Sequence, residues 1–282
     1  MNNNYPFLGQ SIQKMGLMDQ GGRKKGFLQS HTLLKLILPL GIVIGWEVIA
    51  ILLNNEFILP RLESVFVVLL SPTTDILGYG NLITNAFTSL ERVILGFLLA
   101  AGIAIPLGVV MARSETMHNF FDSTVQLLRP IPPLAWVPLA LAWFKIGLTS
   151  MVFIIGMGAF FPILLNTLDG VRGVKKTWVE SAAILGASER QILTKVVIPG
   201  AAPTIWTGLR VGFGIAWMCV VAAEMMPGTN SGLGYLIMSS YNWGQIPVII
   251  AGMIVIGIIG IGCDYLFKMV ERRSFRWREL DR

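Results

Sequence analysis

The stretch Lys175-Lys-Thr177-Trp-Val-Glu180-Ser-Ala-Ala-Ile-Leu-Gly186-Ala-Ser188-Glu-Arg-Gln191-Ile-Leu-Thr-Lys-Val-Val-Ile-Pro199 decides how the chain is read. Thr177-x-x-Glu180 has the spacing of a capping box. In such a box a hydroxyl accepts from the N–H three residues on, and a carboxylate reaches back to the N–H of the cap. This predicts a short helix over 178–185. Gly186 tolerates the left-handed conformation that closes a helix, so it predicts the stop. Ser188-x-x-Gln191 repeats the box and opens a second short helix, which Pro199 is expected to end. The result is two short helices at an angle, with Trp178, Ala182, Leu185, Ile192, Leu193 and Val196 as their apolar residues. Two readings stand: an amphipathic element resting on a membrane surface, or a knob that docks a separate protein.

The chain on either side is strongly apolar. Of 282 residues 54% are hydrophobic and 13% charged, against about 25% charged in a soluble domain. Six apolar segments, near 34–53, 93–111, 127–144, 148–168, 203–226 and 246–267, each approach the roughly 20 residues a helix needs to cross a bilayer. The expected fold is therefore all-α and polytopic, with six transmembrane helices. The first segment starts too deep in the chain, and lacks the small-residue cleavage site, to be a signal peptide.

Charge sets the orientation. Lys14, Arg23, Lys24, Lys25 and Lys35 precede the first segment. Arg172, Lys175, Lys176, Arg190 and Lys195 follow the fourth, and Lys268, Arg272, Arg273, Arg276, Arg278 and Arg282 close the chain. The opposite connections hold only Arg61 and Lys145. Basic residues collect on the cytoplasmic side, so both termini are expected there. The expected division is a cytoplasmic arm over 1–32, a transmembrane domain over 33–270 carrying the element 175–199, and a basic cytoplasmic tail over 271–282. Connection 54–90, with Pro60, Pro72 and Gly78-Tyr-Gly80, reads as an outer loop. The net charge of +6 is a topology signal. No basic stripe with interleaved aromatics points to nucleic acid. Cys219 and Cys263 read as small apolar packing residues, and His31 and His118 form no ligand pair.

Charges inside apolar segments are costly and face a bundle interior or a cavity. Glu47, Glu91, Arg92, Arg210 and Glu224 are of this kind. Arg92 and Glu224 fall toward the same outer face, and either pair across a helix interface as a gate brace or snorkel separately. Arg210 either faces the pathway of a small anion or is a structural arginine. Pro130, Pro132, Pro133 and Pro138 make the first half of the third segment a poor helix. Broken backbone at membrane depth lines a cavity or is buried, which places Arg129 and Pro132 near the inner end of a pathway, unless the stretch is a surface loop. Gly41-x-x-x-Gly45 and Gly208-x-x-x-Gly212 allow close helix contacts, and Trp136, Trp143 and Trp243 read as interface anchors.

Glu180-Ser-Ala-Ala-Ile-Leu-Gly186-Ala, followed, with nine residues between Gly186 and Val196, by Val196-Val-Ile-Pro199, resembles the EAA motif of binding-protein-dependent ABC importer permeases. Ser181 stands for the second-position Ala, Val196 for Ile and Ile198 for Leu. Leu90-Glu-Arg92-Val-Ile-Leu-Gly96-Phe, Arg129-Pro-Ile-Pro132-Pro-Leu-Ala135-Trp-Val-Pro138, Ala223-Glu224-Met and Gly232-Leu-Gly234 are similar to the nitrate, bicarbonate, taurine and sulfonate branch, most of all to its nitrate and bicarbonate permeases. The resemblance implies a type I (MetI-like) permease fold in a bacterial inner (plasma) membrane, with Glu180, Ser181, Ala182, Gly186 and Ala187 as the coupling helix. It implies as partners two ATP-binding cassette subunits, a second permease copy and a periplasmic or lipid-anchored substrate-binding protein. The substrate expected is a small inorganic anion, bicarbonate or nitrate/nitrite. The alternatives are a sulfonate or taurine, or a stand-alone secondary transporter. No stretch fits the phosphate-binding G-x-x-x-x-G-K-[ST] loop, so the chain is not expected to be an enzyme, and ATP and Mg belong to partner subunits.

Overall fold

The computed structural model describes residues 23–275, with side chains from residue 37. The expectations for residues 1–22 of the arm and 276–282 of the tail lie outside the described residues. The chain divides into two compact units at Leu62/Glu63.

The first unit holds α1 (Arg23–Leu53) and the turn after it. The turn folds back on its own helix. Trp46 Nε1 donates to the Pro60 carbonyl at 3.0 Å, and the Leu62 N–H donates to Glu47 at 3.0 Å. Glu47 is thus hydrogen-bonded to backbone. Gly41 and Gly45 meet no neighbouring atom within 4 Å, so that small-residue spacing makes no close contact within its unit.

The second unit is all-helical over its described residues. In chain order it contains α2 (Leu62–Leu70, entered at its second residue), α3 (Leu82–Arg113), α4 (Glu115–Leu128), a 3-10 turn (Pro133–Trp136), α5 (Val137–Phe144) and α6 (Leu148–Arg172). There follow α7 (Lys176–Ile184), α8 (Glu189–Ile192), a π-turn (Leu193–Val197), α9 (Ile198–Glu224), α10 (Leu233–Asn242) and α11 (Ile246–Ser274).

Among the described residues, four helices are long and apolar enough to cross a membrane: Leu82–Arg113, Leu148–Arg172, Glu189–Glu224 and Ile246–Ser274. The third expected segment is not one helix. It splits between the end of α4 and the pair formed by the 3-10 turn and α5, bent by 89°. Pro130, Pro132 and Pro133 fall at the bend, where their missing donors leave a regular helix without its bonds. The described apolar part of α1, Ile37–Leu53, is shorter than a full span.

α6 is the centre of the unit. Its sides are packed by α3 and α9 so closely that a Cβ at Gly96 would lie 2.6 Å from Ile155, at Gly108 2.8 Å from Thr167 and at Gly208 2.5 Å from Asn166. A Cβ at Gly212 would lie 2.9 Å from Ile163 and 3.1 Å from the Ala159 carbonyl. The second small-residue spacing read from the sequence therefore does bring two backbones together. Cys219 is buried against Gly158. Gly212→Leu is expected to force α9 off α6 at a cost of about 1–3 kcal/mol. The check is the thermal midpoint of the purified protein in detergent, and an unchanged midpoint would contradict the packing. α11 is tied to α9 by two indoles, Trp206 to the Phe267 carbonyl (3.0 Å) and Trp217 to the Ile256 carbonyl (3.2 Å).

Candidate functional site

Two places carry polar or apolar chemistry that membrane packing alone does not require. The first is the element around residues 175–199. α7 starts at Lys176, earlier than expected, so Thr177 falls inside the first turn and the Thr177/Glu180 box does not form. A residue with helical backbone angles cannot take the extended geometry of a cap. Lys175 instead lies over the Trp178 ring, its Nζ 5.2 Å from the centroid. The stop is as read. Gly186 has φ +82°, its N–H bonds the Ala183 carbonyl, and the Ala187 N–H bonds the Ala182 carbonyl at 3.0 Å. These two bonds make a Schellman closure.

The second box forms in full between Ser188 and Gln191. Pro199, however, does not end the helix it opens. A π-turn carries the chain on, with the Ile198 N–H bonding the Leu193 carbonyl five residues back. The hydrogen-bond register has already shifted where Pro199 lacks its donor, so α8 and α9 run on as one helix from Glu189 to Glu224. Ile184 and Leu185, 86% and 87% exposed, stand at the tip beside the Gly186 turn. Exposed large apolar residues beside a rigid turn mark a contact surface.

The second place is a buried polar network around Glu224, whose side chain is fully buried. Arg92 Nη1 donates to Glu224 Oε1 at 2.9 Å and to the Ser231 carbonyl at 2.7 Å, and Nη2 donates to Ser231 Oγ at 2.8 Å. Ser89 Oγ donates to Glu224 Oε2 at 2.8 Å and accepts from the Leu233 N–H at 2.9 Å. The Gly234 N–H donates to Glu224 Oε2 at 3.1 Å, and the Gly232 N–H to Asn85 Oδ1 at 2.7 Å. Three free N–H groups at the start of α10 are thus satisfied by three side chains from outside that helix, with a carboxylate at its positive end. Gly232, at φ +108°, touches the Glu224 carboxylate so closely that any Cβ there would overlap it.

The structure therefore brings Arg92 and Glu224 together, as one of the two sequence readings had it. Asn85, Ser89 and Ser231, which complete the network, were not singled out from sequence. The one signal was Asn81-x-x-Thr84. It forms a capping box and starts α3 eleven residues before the apolar segment begins, which brings Asn85 and Ser89 onto the helix.

Arg210 is ion-paired across a helix interface. Its Nε donates to Asp264 on α11 at 2.6 Å, and Asp264 also holds Lys268 at 2.8 Å. Through this pair Arg210 joins α9 to α11. Arg129 does line a cavity of about 610 Å³ between the bend, α6 and α9, and Pro132 sits at the bend itself.

Four membrane-length helices, with α6 packed between α3 and α9, and a capped knob in the connection between α6 and α9 define a polytopic membrane protein. Residues 104–276 match the family described as the binding-protein-dependent transport system inner membrane component, and the chain belongs to that family. It is 55% identical over 250 residues, 89% of this chain and 94% of the other, to a Methanocaldococcus jannaschii protein described as an ABC transporter permease. It is 37% identical over 211 residues, 74% of this chain and 76% of the other, to the nitrate import permease protein NrtB of Synechocystis sp.. Permeases named for aliphatic sulfonates, taurine and bicarbonate align as well, which places the chain in that branch. The inward-facing MetNI methionine ABC transporter shares the fold, with a TM-score of 0.59 at 18% identity over 68% of this chain and 95% of that one.

Proposed function

We propose that the chain is the permease subunit of an ATP-driven importer for a small inorganic anion, nitrate/nitrite or bicarbonate. Two copies form the pathway at their shared interface. Residues 33–270 are the transmembrane domain, with the arm 1–32 and the tail 271–282 in the cytoplasm. Two ATP-binding cassette subunits take the knob at Glu180, Ser181, Ala182, Gly186 and Ala187, and a periplasmic or lipid-anchored binding protein delivers the anion. ATP and Mg are bound by those cassette subunits.

The observation that carries this reading is the knob itself. It is fixed by a Schellman closure and a full capping box, it exposes Ile184 and Leu185, and it runs without a break into a membrane-length helix. A nucleotide cycle that grips such a knob differently in its two states biases the helices behind it. The Arg92–Glu224 network then braces the outer gate, and Arg129 and Pro132 stand at the inner end of the pathway.

The test is co-expression with the neighbouring ATP-binding subunit and binding protein, followed by purification through this chain and uptake of labelled nitrate, bicarbonate and taurine. ATP-dependent nitrate or bicarbonate uptake is expected. Taurine uptake instead would move the substrate to the organic sulfonates, and ion-driven uptake by this chain alone would sink the importer reading. Gly186→Val forces a β-branched residue into a left-handed position at a cost of about 1 kcal/mol or more. The expected outcome is hydrolysis that persists while uptake per ATP falls, measured on reconstituted complexes.

A further inference from the structure

We propose that Arg129 and Asp169 are the two halves of an ion-pair latch that closes the cytoplasmic mouth of the 610 Å³ cavity when the transporter faces outward. The proposal rests on the importer reading above and names a gate within it.

The cavity runs along α6 from Asp169 to Met157, about 18 Å at 1.5 Å per residue. Its deep end is apolar, with Met157, Phe161 and Ile215. Its charged residues, Arg129 and Asp169, come from two different elements, the bend and α6. Both are exposed, and neither makes an ion pair or hydrogen bond through its side chain among the described residues. The other charges read from the spans behave differently: Arg92 is paired with Glu224 and Arg210 with Asp264. Among the charges lining this cavity neither is paired, and both stand open to water.

An importer's passage must not be open to both sides at once, so this mouth has to close. Closure around a single unpaired charge would strand it in a low-dielectric interior. Closure that brings Arg129 onto Asp169 leaves no charge stranded. The walls differ in their freedom to move. Asp169 sits on α6, which Gly208 and Gly212 lock against α9. Arg129 caps α4 at the 89° bend and is followed by Pro130, Pro132 and Pro133. The same broken segment carries a second sign of another arrangement: the Trp136 indole N–H is buried without a partner. A buried donor left unpaired is uncommon and costly, and a shift of the segment is what would satisfy it.

The experiment uses the full complex with its ATP-binding subunits and binding protein in proteoliposomes. Arg129→Cys and Asp169→Cys are combined and treated with a short bifunctional thiol reagent, and each single variant controls for the native Cys219 and Cys263. Crosslinking is expected to rise several-fold in the complex trapped with ATP and vanadate over the nucleotide-free complex. Separately, Arg129→Asp and Asp169→Arg should each lose most uptake, and the exchanged pair should recover a large share of it. State-independent crosslinking, or an exchanged pair no better than the single variants, overturns the latch while wild-type uptake leaves the importer reading standing. A wild-type complex that neither holds an ATP-binding subunit nor imports removes that reading, and the latch with it.

Discussion

Glu224→Ala is expected to destabilise the protein by about 3–5 kcal/mol, the usual cost of breaking a buried pair from one side, and to abolish transport. The removed carboxylate is the acceptor for Arg92, Ser89 and Gly234 together. Arg92 would keep only its two bonds to Ser231, and the Ser89 hydroxyl and Gly234 N–H would lose the carboxylate they donate to. Glu224→Gln keeps the shape and one acceptor oxygen, so an intermediate loss is expected. The measurement is the thermal midpoint of the detergent-purified chain alongside uptake in the complex. A Glu224→Ala protein as stable as wild type would show that the network contributes nothing to the fold. Exchanging the charges of residues 92 and 224, the natural test of a pair inferred from sequence, is expected to fail. An arginine at 224 has no acceptor oxygens for Ser89 and Gly234, and Gly232 leaves it no room.

Replacing Ile184 and Leu185 together by aspartate is expected to leave the membrane fold intact and to abolish capture of the ATP-binding subunit. Both side chains lie almost wholly in water, so the isolated chain loses no packing. At an interface, a central apolar anchor is worth at least about 2 kcal/mol, or roughly thirtyfold in affinity. Two desolvated carboxylates add to that loss. Co-purification and size-exclusion profiles read the outcome directly. Wild-type recovery of the partner would place the docking surface elsewhere on the chain.

The parts that were legible in sequence have short-range causes. Gly186 takes the left-handed angle because a helix stop asks for it locally. Ser188 and Gln191 find each other three residues apart, and the span centres follow from hydropathy alone. What escaped has long-range causes. Thr177 and Glu180 have box spacing, yet α7 began earlier and left the box unused. Pro199 looked like a terminus because an α-helix has no place for it, and a π-turn removed the conflict. α10 carries no cap of its own. Its first N–H groups are satisfied by Asn85 and Ser89, well over a hundred residues back in the chain, and by Glu224 at the end of α9, so nothing near residue 233 announces a helix. Arg210 lies inside an apolar run and Arg92 at the edge of one, beside Glu91, and neither position names its partner. Only the fold shows that one joins two helices while the other holds an entire turn.

The π-turn at Leu193–Val197 joins the short helix after the Gly186 turn to α9, and α9 ends on Glu224. One uninterrupted strut of 36 residues, roughly 54 Å at 1.5 Å per residue, therefore joins the place where a motor would grip to the far carboxylate. A continuous helix links displacement at one end to displacement at the other without a chain of relays. Such a machine needs no wire of coupled side chains, only a bearing at each end: a turn around Gly186 and an anchorage at Glu224.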